Sequence, residues 1–347
     1  MKQSFSSHKM KIAVFVRNPN AGGGIQVFAK ELARQMPTDI EMWFISKNEL
    51  FTSSNDLTLK SKSYFEDFKF ILKSFDLILM HQFSLKFYAL ARLANRPIIV
   101  VTHIWDIGEK DFKSVLLRRI KKRFLSKNDL NLIFVSESVR NNLGLNGEVI
   151  LNRSTFSQLT ENTETLKKDL LFVGRFYIEK GVHVFLDIVR SLNMSTMRPV
   201  SATMIGEGPE IHNLETSIIE YGLEEQVELI PWMDRETLRE MYTAHHILIV
   251  PSLWDEPYGL VAAEGLSLGL KVFCSNRPGL IEATLNCAIY FDPTSISNVT
   301  RLIENELRHD SQTRSDTKKI IAELDFSTTV EQYCKLFHKI RSEYRSL

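Results

Sequence analysis

Two parallel α/β units in tandem are predicted by three features of the chain. These are its length, the alternation of short apolar runs with helical patterns, and a polar stretch near the middle after which that alternation restarts. At 347 residues the chain exceeds what one hydrophobic core ordinarily serves, so roughly two domains are expected. Short apolar runs that alternate with 3.6-residue periodicity argue for parallel strands covered on both faces by helices. In the first half such runs lie at 11–16, 40–45, 76–80, 97–102, 131–135 and 148–151. Ile25, Phe28, Ala29, Leu32 and Met36 place one apolar face on the helix after the first run. From 153 to 169 Ser, Thr, Asn and Glu dominate without an apolar period, and this segment is expected to link the domains. Runs at 170–173, 202–205, 227–230, 247–250, 271–274 and 288–291 then repeat the pattern. Val330, Tyr333, Phe337 and Ile340 mark a final amphipathic helix, with Thr328 and Glu331 in the T-x-x-E form of a capping box. The expected division is 1–160, 161–325 and a last helix over 326–347, with a ligand held between the two units at the carboxyl ends of their strands.

Composition narrows the function classes. A net charge of +1 gives no global field to select nucleic acid, so no nucleic-acid partner is expected. Cys274, Cys287 and Cys334 lack metal-ligand spacing, and their odd number argues against a disulfide framework and for a reducing compartment. The first nine residues are polar, and the run from Ile12 to Val16 is too short for a signal sequence. No stretch approaches the roughly 20 apolar residues of a membrane span. A cytoplasmic protein is expected.

The most informative segment is PSLWDEPYGLVAAE, from Pro251 to Glu264, with glutamates at Glu256 and Glu264. Pro251 and Pro257 keep Glu256 out of a helix. Leu260, Val261, Ala262 and Ala263 lead into Glu264 on a helix apolar on most sides, and such a helix is buried. An ionised carboxylate there needs a partner. Gly259 near the helix start leaves its first N–H groups free to meet an anion. Two hydroxyl-reading carboxylates beside such a helix suit a nucleotide-sugar. A loop glutamate and a salt-bridged helix glutamate would give the same spacing, and spacing alone does not choose.

Upstream, LLFVGRFYIEKG carries Gly174, Arg175 and Lys180 at the end of a strand. A planar guanidinium and a point charge together suit a diphosphate, although solvated surface cations would look the same. Gly206 and Gly208, in GEGP after the next strand, allow either close approach to a ligand or a tight turn.

In this order the segments resemble glycosyltransferase family 4, retaining enzymes of GT-B type with two Rossmann-like domains facing a central cleft. The resemblance is strongest over 170–293, through FVGRFYIEKG, MIGEGPE, PSLWDEPYGLVAAEGLSLG, NRPGLIE and YFDP. It is looser in the first half, through Gly22, Gly23 and Gly24, His103, and IFVSE at Ser136. It implies that Arg175 and Lys180 bind the donor diphosphate, that Glu256 faces the sugar hydroxyls, and that Glu264 bonds the ribose. Backbone N–H groups around Tyr258, Gly259 and Leu260 would meet phosphate, and Trp232 and Met233 would lie near the base. His103 would reach the transferred sugar, and Gly23 and Gly24 would let the backbone approach the phosphates and acceptor. The last helix would cross back to the first domain, which would serve the acceptor.

The implied activity is transfer from a nucleotide-sugar, a UDP-sugar, to a glycan acceptor on a lipid carrier, with retention, in surface polysaccharide synthesis. No cofactor is implied, and the absence of a D-x-D sequence suggests no metal requirement. Gly265, Ser267 and Lys271, His245 and His246, and Pro231 depart from the family pattern. Two competing readings are a nucleotide-sugar-binding protein without transfer activity, and a GT-B epimerase or soluble-acceptor glycoside synthase. A lone histidine at a strand end is also often structural, and His81 is a second candidate beside His103.

From 111 to 127 Phe112, Leu116, Ile120 and Phe124 recur every fourth residue among seven Lys and Arg. Such helices lie against anionic lipid or pack in a core with a solvated basic face. Peripheral attachment at the inner face of the cell membrane is the corresponding expectation.

Overall fold

The computed structural model describes residues 9–16, 24–46, 49–52, 59–60, 72–104, 112–126, 130–156, 168–308 and 317–346. Two compact units emerge, Met1–Asn152 with Ser327–Leu347, and Arg153–Phe326. The first break therefore precedes residue 160, the boundary expected from composition.

The first unit runs β1 (Met10–Phe15), α1 (Gly24–Gln35), β2 (Ile40–Ser46), β3 (Glu49–Thr52), β4 (Leu59–Lys60), β5 (Leu77–His81), α2 (Leu85–Ala94), β6 (Ile98–Thr102), α3 (Phe112–Leu125), β7 (Leu130–Phe134), α4 (Glu137–Leu143) and β8 (Glu148–Val149). Its sheet has the order β4-β3-β2-β1-β5-β6-β7-β8. From β2 to β8 the pairing is parallel, while β3 and β4 add an antiparallel edge. Every residue of β5 and β6 is buried, which is why these strands read as unbroken apolar runs rather than alternating ones. The antiparallel edge was not legible, because four- and two-residue strands are too short to show a period.

The second unit runs β9 (Lys168–Val173), a 3₁₀ turn (Ile178–Lys180), α5 (Val182–Ser195), β10 (Ala202–Ile205), α6 (Ile211–Tyr221), β11 (Val227–Ile230), α7 (Arg235–Thr243), β12 (His245–Val250), α8 (Leu260–Ser267), β13 (Lys271–Ser275), α9 (Pro278–Ala283), β14 (Ile289–Phe291), α10 (Ile296–Arg308) and α11 (Thr317–Glu323). Its parallel sheet has the order β11-β10-β9-β12-β13-β14. Alternate residues of β9 serve opposite faces: Leu170 and Phe172 join one core with Phe176, Phe185 and Val189. Leu171 and Val173 join the other with Phe156, Tyr242 and Ala262. Both faces are therefore covered, and the strand order reverses between β9 and β12. In open parallel sheets that reversal leaves a crevice at the carboxyl ends of the two strands.

The first residues of the expected linker are not loose. Ser154 bridges to Asp325, its Oγ lies 2.7 Å from Ser267 Oγ, and Phe156 is buried in the core. Residues 157–167 lie outside the described residues. The last helix, α12 (Phe326–Arg345), starts before the T-x-x-E sequence, so Thr328 and Glu331 lie inside it and do not form its cap. From Ser327 onward α12 belongs to the first unit. Tyr333 packs on Phe28 with ring centroids 6.0 Å apart, and Arg341 pairs with Asp76 at 3.1 Å.

Candidate active site at the carboxyl edge of the second unit

The loops after β9, β10, β12 and β13 meet at the reversal in strand order. The β9 and β10 loops are laced by backbone bonds from Gly174 N to Ile205 O at 3.0 Å and from Phe176 N to Glu207 O at 2.8 Å. A Cβ on Gly206 would lie 1.9 Å from the carbonyl oxygen of Gly174, and one on Gly208 would lie 2.2 Å from that of Phe176. Both glycines are thus accounted for by loop meeting loop. The 3₁₀ turn ends at Gly181, whose φ of +72° and missing Cβ let it rest on the Pro251 carbonyl. Leu253 N then donates to Glu179 O at 2.9 Å, which joins the β12 loop to the β9 loop.

This scaffold brings Lys180 and Glu256 together across 76 residues. Lys180 Nζ donates to Glu256 Oε1 at 2.6 Å, Ser252 Oγ donates to the same oxygen at 2.7 Å, and Lys180 stands 5.0 Å from the Trp254 ring centroid. Glu256 is only 6% exposed, so it is not the solvated loop glutamate that spacing left open. Gly279, in the first turn of α9, presses on it: an added Cβ would sit 1.9 Å from the Glu256 carbonyl. Arg277 reaches back to Leu253 O at 2.9 Å and pairs with Asp255 at 3.5 Å. Arg175 is exposed, its guanidinium 4.8 Å from the Tyr177 ring centroid.

Gly259 opens α8 with φ +102°, and Leu280 Cδ2 would meet its Cβ at 2.4 Å. Tyr258 beside it is buried, its hydroxyl without a hydrogen-bond partner among the described residues and its pKa raised by burial. Leu260 is half-buried. Glu264, on the fifth residue of α8, is 8% exposed. Tyr242 donates its hydroxyl to Glu264 Oε2 at 3.1 Å, and Arg235 Nη1 stands 3.6 Å from Oε1. Burial raises the pKa of Glu264, while Arg235 and Tyr242 oppose that shift. Beyond β11, Trp232 is 45% exposed whereas Met233 packs against the core that holds Phe156 and Tyr242.

Among the departures from the family pattern, Pro231 and His246 are exposed, whereas Gly265, Ser267 and His245 are buried. A Cβ on Gly265 would meet Leu248 Cδ2 at 2.4 Å, and Lys271 pairs with Glu306 at 2.8 Å. His245 Nδ1 donates to Met241 O at 2.6 Å, which leaves Nε2 to accept from Thr203 Oγ1 at 3.0 Å.

Within the first unit His103 is 5% exposed. Its Nε2 lies 2.8 Å from His81 Nδ1 and its Nδ1 lies 3.4 Å from Asn152 Nδ2, so both ring nitrogens have partners there. Burial lowers both imidazole pKa values, that of His81 to about 3. Gly24 is the exposed first residue of α1, and Gly23 lies outside the described residues. On α3, Phe124 packs on Phe83 and Tyr88 at 6.3 and 5.6 Å and Leu125 is buried, while Arg119, Lys122 and Arg123 are exposed. The side chains of Phe112 and Leu116 lie outside the described residues. No helix among the described residues is long and apolar enough to cross a membrane.

Sequence reasoning missed Ser252, Trp254, Arg277 and Gly279 around Glu256, and Arg235 and Tyr242 around Glu264. Ser252 and Trp254 stood inside the quoted motif. Arg277 and Gly279 stood inside NRPGLIE, whereas Arg235 and Tyr242 carried no local signal.

A strand end supplying cations, a reversal in strand order and a buried E-x7-E pair now stand together in one unit. Residues 156–323 match the family model for glycosyl transferases group 1. Among curated relatives, an uncharacterized glycosyltransferase of Methanocaldococcus jannaschii is 29% identical over 33% of this chain and 29% of its own length. The gpi3 subunit of the phosphatidylinositol N-acetylglucosaminyltransferase of Schizosaccharomyces pombe is 24% identical over 68% of this chain and 54% of its own length. The chain thus matches about half or less of these relatives' length. Among solved structures, sucrose-phosphate synthase from Thermosynechococcus elongatus aligns with TM-score 0.71 and 16% identity, covering 96% of this chain and 100% of that one. HepE from Anabaena, solved in complex with UDP, aligns with TM-score 0.71 and 16% identity over 95% of this chain and 100% of that one. The expected α/β fold of two GT-B-type units is the observed one, and the group 1 match covers nearly all of the second unit.

Proposed function

We propose that this chain transfers a sugar from a nucleotide donor, a UDP-sugar, to a glycan acceptor with retention of anomeric configuration. The observation that carries this reading is the Lys180–Glu256 pair, 2.6 Å apart at the reversal in strand order and close to Arg175 in the chain. Breaking the bond from the anomeric carbon to phosphate builds negative charge on the diphosphate, and fixed cations are the main device for stabilising it. Lys180 turns to the diphosphate when the donor enters, and Glu256 is then left to accept from the sugar hydroxyls. N–H groups at Tyr258, Gly259 and Leu260 meet the phosphates. Glu264 accepts from the ribose diol, and exposed Trp232 supports the base.

The acceptor hydroxyl attacks from the face the diphosphate leaves. A new bond forms from the anomeric carbon to the acceptor oxygen, and the leaving phosphate oxygen takes the proton. This route requires neither a protein nucleophile nor a metal ion. The histidine expected to reach the sugar, His103, has both ring nitrogens engaged by His81 and Asn152. The first unit serves the acceptor, a lipid-linked glycan of surface polysaccharide synthesis. Arg119, Lys122 and Arg123 hold the protein at an anionic membrane by charge, because Phe124 is turned inward. Sedimentation with anionic vesicles at low salt tests that contact, and no pelleting there would remove it.

The central test incubates the protein with a panel of nucleotide-sugars in the presence of EDTA and follows the released sugar by NMR. Retention of the donor's anomer is expected first. Lys180→Ala is expected to lower the rate by about 10²-fold or more. Inverted product would overturn retention. UDP binding with neither hydrolysis nor transfer would favour a binding protein instead.

A further inference from the structure

Glu264 is a buried carboxylate, and a lone one at that depth would keep its proton. The two groups that oppose this both come from α7. Arg235 and Tyr242 are seven residues apart, two helical turns, and so project from one face. Tyr242, fully buried, binds one carboxylate oxygen at 3.1 Å, and Arg235 stands 3.6 Å from the other. Arg235 is held in place by the ring of Phe156, 4.0 Å from guanidinium carbon to ring centroid. Its Nη2 is buried with no hydrogen-bond partner among the described residues. The helix that presents it is fixed at its start, where the Asp234 carboxylate accepts from Glu236 N at 3.0 Å and Thr237 N at 3.1 Å. β12, β13, α9 and α11 also pack on α8, yet among the described residues Arg235 and Tyr242 are the groups that act on the Glu264 proton.

We propose that Arg235 is a positioning residue for the nucleotide donor, keeping Glu264 ionised and aimed at the ribose diol, with Tyr242 fixing its second oxygen. The inference rests on the reading of Glu264 as the ribose anchor. An ionised carboxylate accepts from both hydroxyls of a vicinal diol, whereas a protonated one gives up one acceptor oxygen to its own O–H and binds the diol less strongly. Diol recognition therefore follows the charge on Glu264, and that charge follows Arg235.

The test measures UDP and 2′-deoxy-UDP binding by calorimetry on the full chain from pH 5.5 to 8.5, with thermal melts confirming that each variant folds. The parent is expected to prefer UDP by about ten-fold, the scale of a hydrogen bond to a charged group. Arg235→Gln should lose that preference near neutral pH and recover it as pH rises, and Arg235→Lys should retain most of it. Equal weakening of Arg235→Gln at every pH, or parent-like discrimination, would overturn the proposal. If Arg235→Gln does not fold, Tyr242→Phe replaces it, with the same pH trend expected and a parent-like profile counting against the idea. Glu264→Gln separates the two levels: if it binds UDP like the parent, or if the parent binds none of UDP, GDP and ADP, the ribose-anchor reading itself fails.

Discussion

Glu256 and Glu264 share a motif but differ in environment. Glu256 shares one oxygen between Lys180 and Ser252, in the loop after β12. Glu264 is tied to a tyrosine and an arginine inside a helical layer. We therefore expect Glu256→Ala to abolish transfer while leaving UDP affinity within a few-fold, as measured by calorimetry beside a rate assay. Full activity in that variant would remove Glu256 from the sugar site. Glu264→Gln should do the reverse: UDP binds more weakly, and the protein melts below the parent's temperature because the half-buried Arg235 loses its counter-charge. Their spacing was readable in the sequence, since it lies within fourteen consecutive residues from Pro251 to Glu264. Their partners were not. Tyr242 lies 22 positions before Glu264 and Lys180 lies 76 before Glu256, and no local period links such pairs.

At the scale of elements, the site is held by loops too close together to admit side chains. Gly206, Gly208 and Gly279 each leave about 2 Å between a built Cβ and a carbonyl oxygen of a neighbouring loop. Gly279→Ala must displace the Glu256 backbone, and a loss of about 1–3 kcal/mol in unfolding free energy is expected from such overpacking. Denaturant titration together with turnover checks this, and an unchanged midpoint with unchanged turnover would contradict it. The glycines were visible in the sequence, but their choice between ligand contact and turn was not, because the nearest atoms come from other loops. The T-x-x-E sequence at Thr328 failed for a related reason: α12 begins at Phe326, so the threonine at 329 spends its hydroxyl on Leu151 O.

At the scale of the whole molecule, buried imidazoles set the response to acid. His81, His103 and His245 all have pKa values lowered first by burial. Above the ordinary value of 6.5 neither the folded nor the unfolded chain holds these protons. Below it the unfolded chain binds them first, so stability falls as pH falls, with a limiting slope of about 1.4 kcal/mol per pH unit for His81. For His81 that loss continues down to about pH 3. Glu264, raised by burial, works in the opposite direction and offsets part of it. Guanidinium midpoints should therefore be lower at pH 5 than at pH 7.5, and equal midpoints would show that the imidazoles are not buried in solution.

The alternation of runs and helices, the restart after the polar segment and the E-x7-E spacing are all short-range patterns, and by themselves they determined the two α/β units and the segment of the site. What only the tertiary structure decided is which loops share the carboxyl edge of the β9–β12 reversal. It brought Lys180 to Glu256, brought Arg235 and Tyr242 to Glu264, and buried His103 against His81. The physical reason is range: periodicity registers a residue's own strand or helix, whereas a charge is stabilised by whatever the fold sets a few ångströms away.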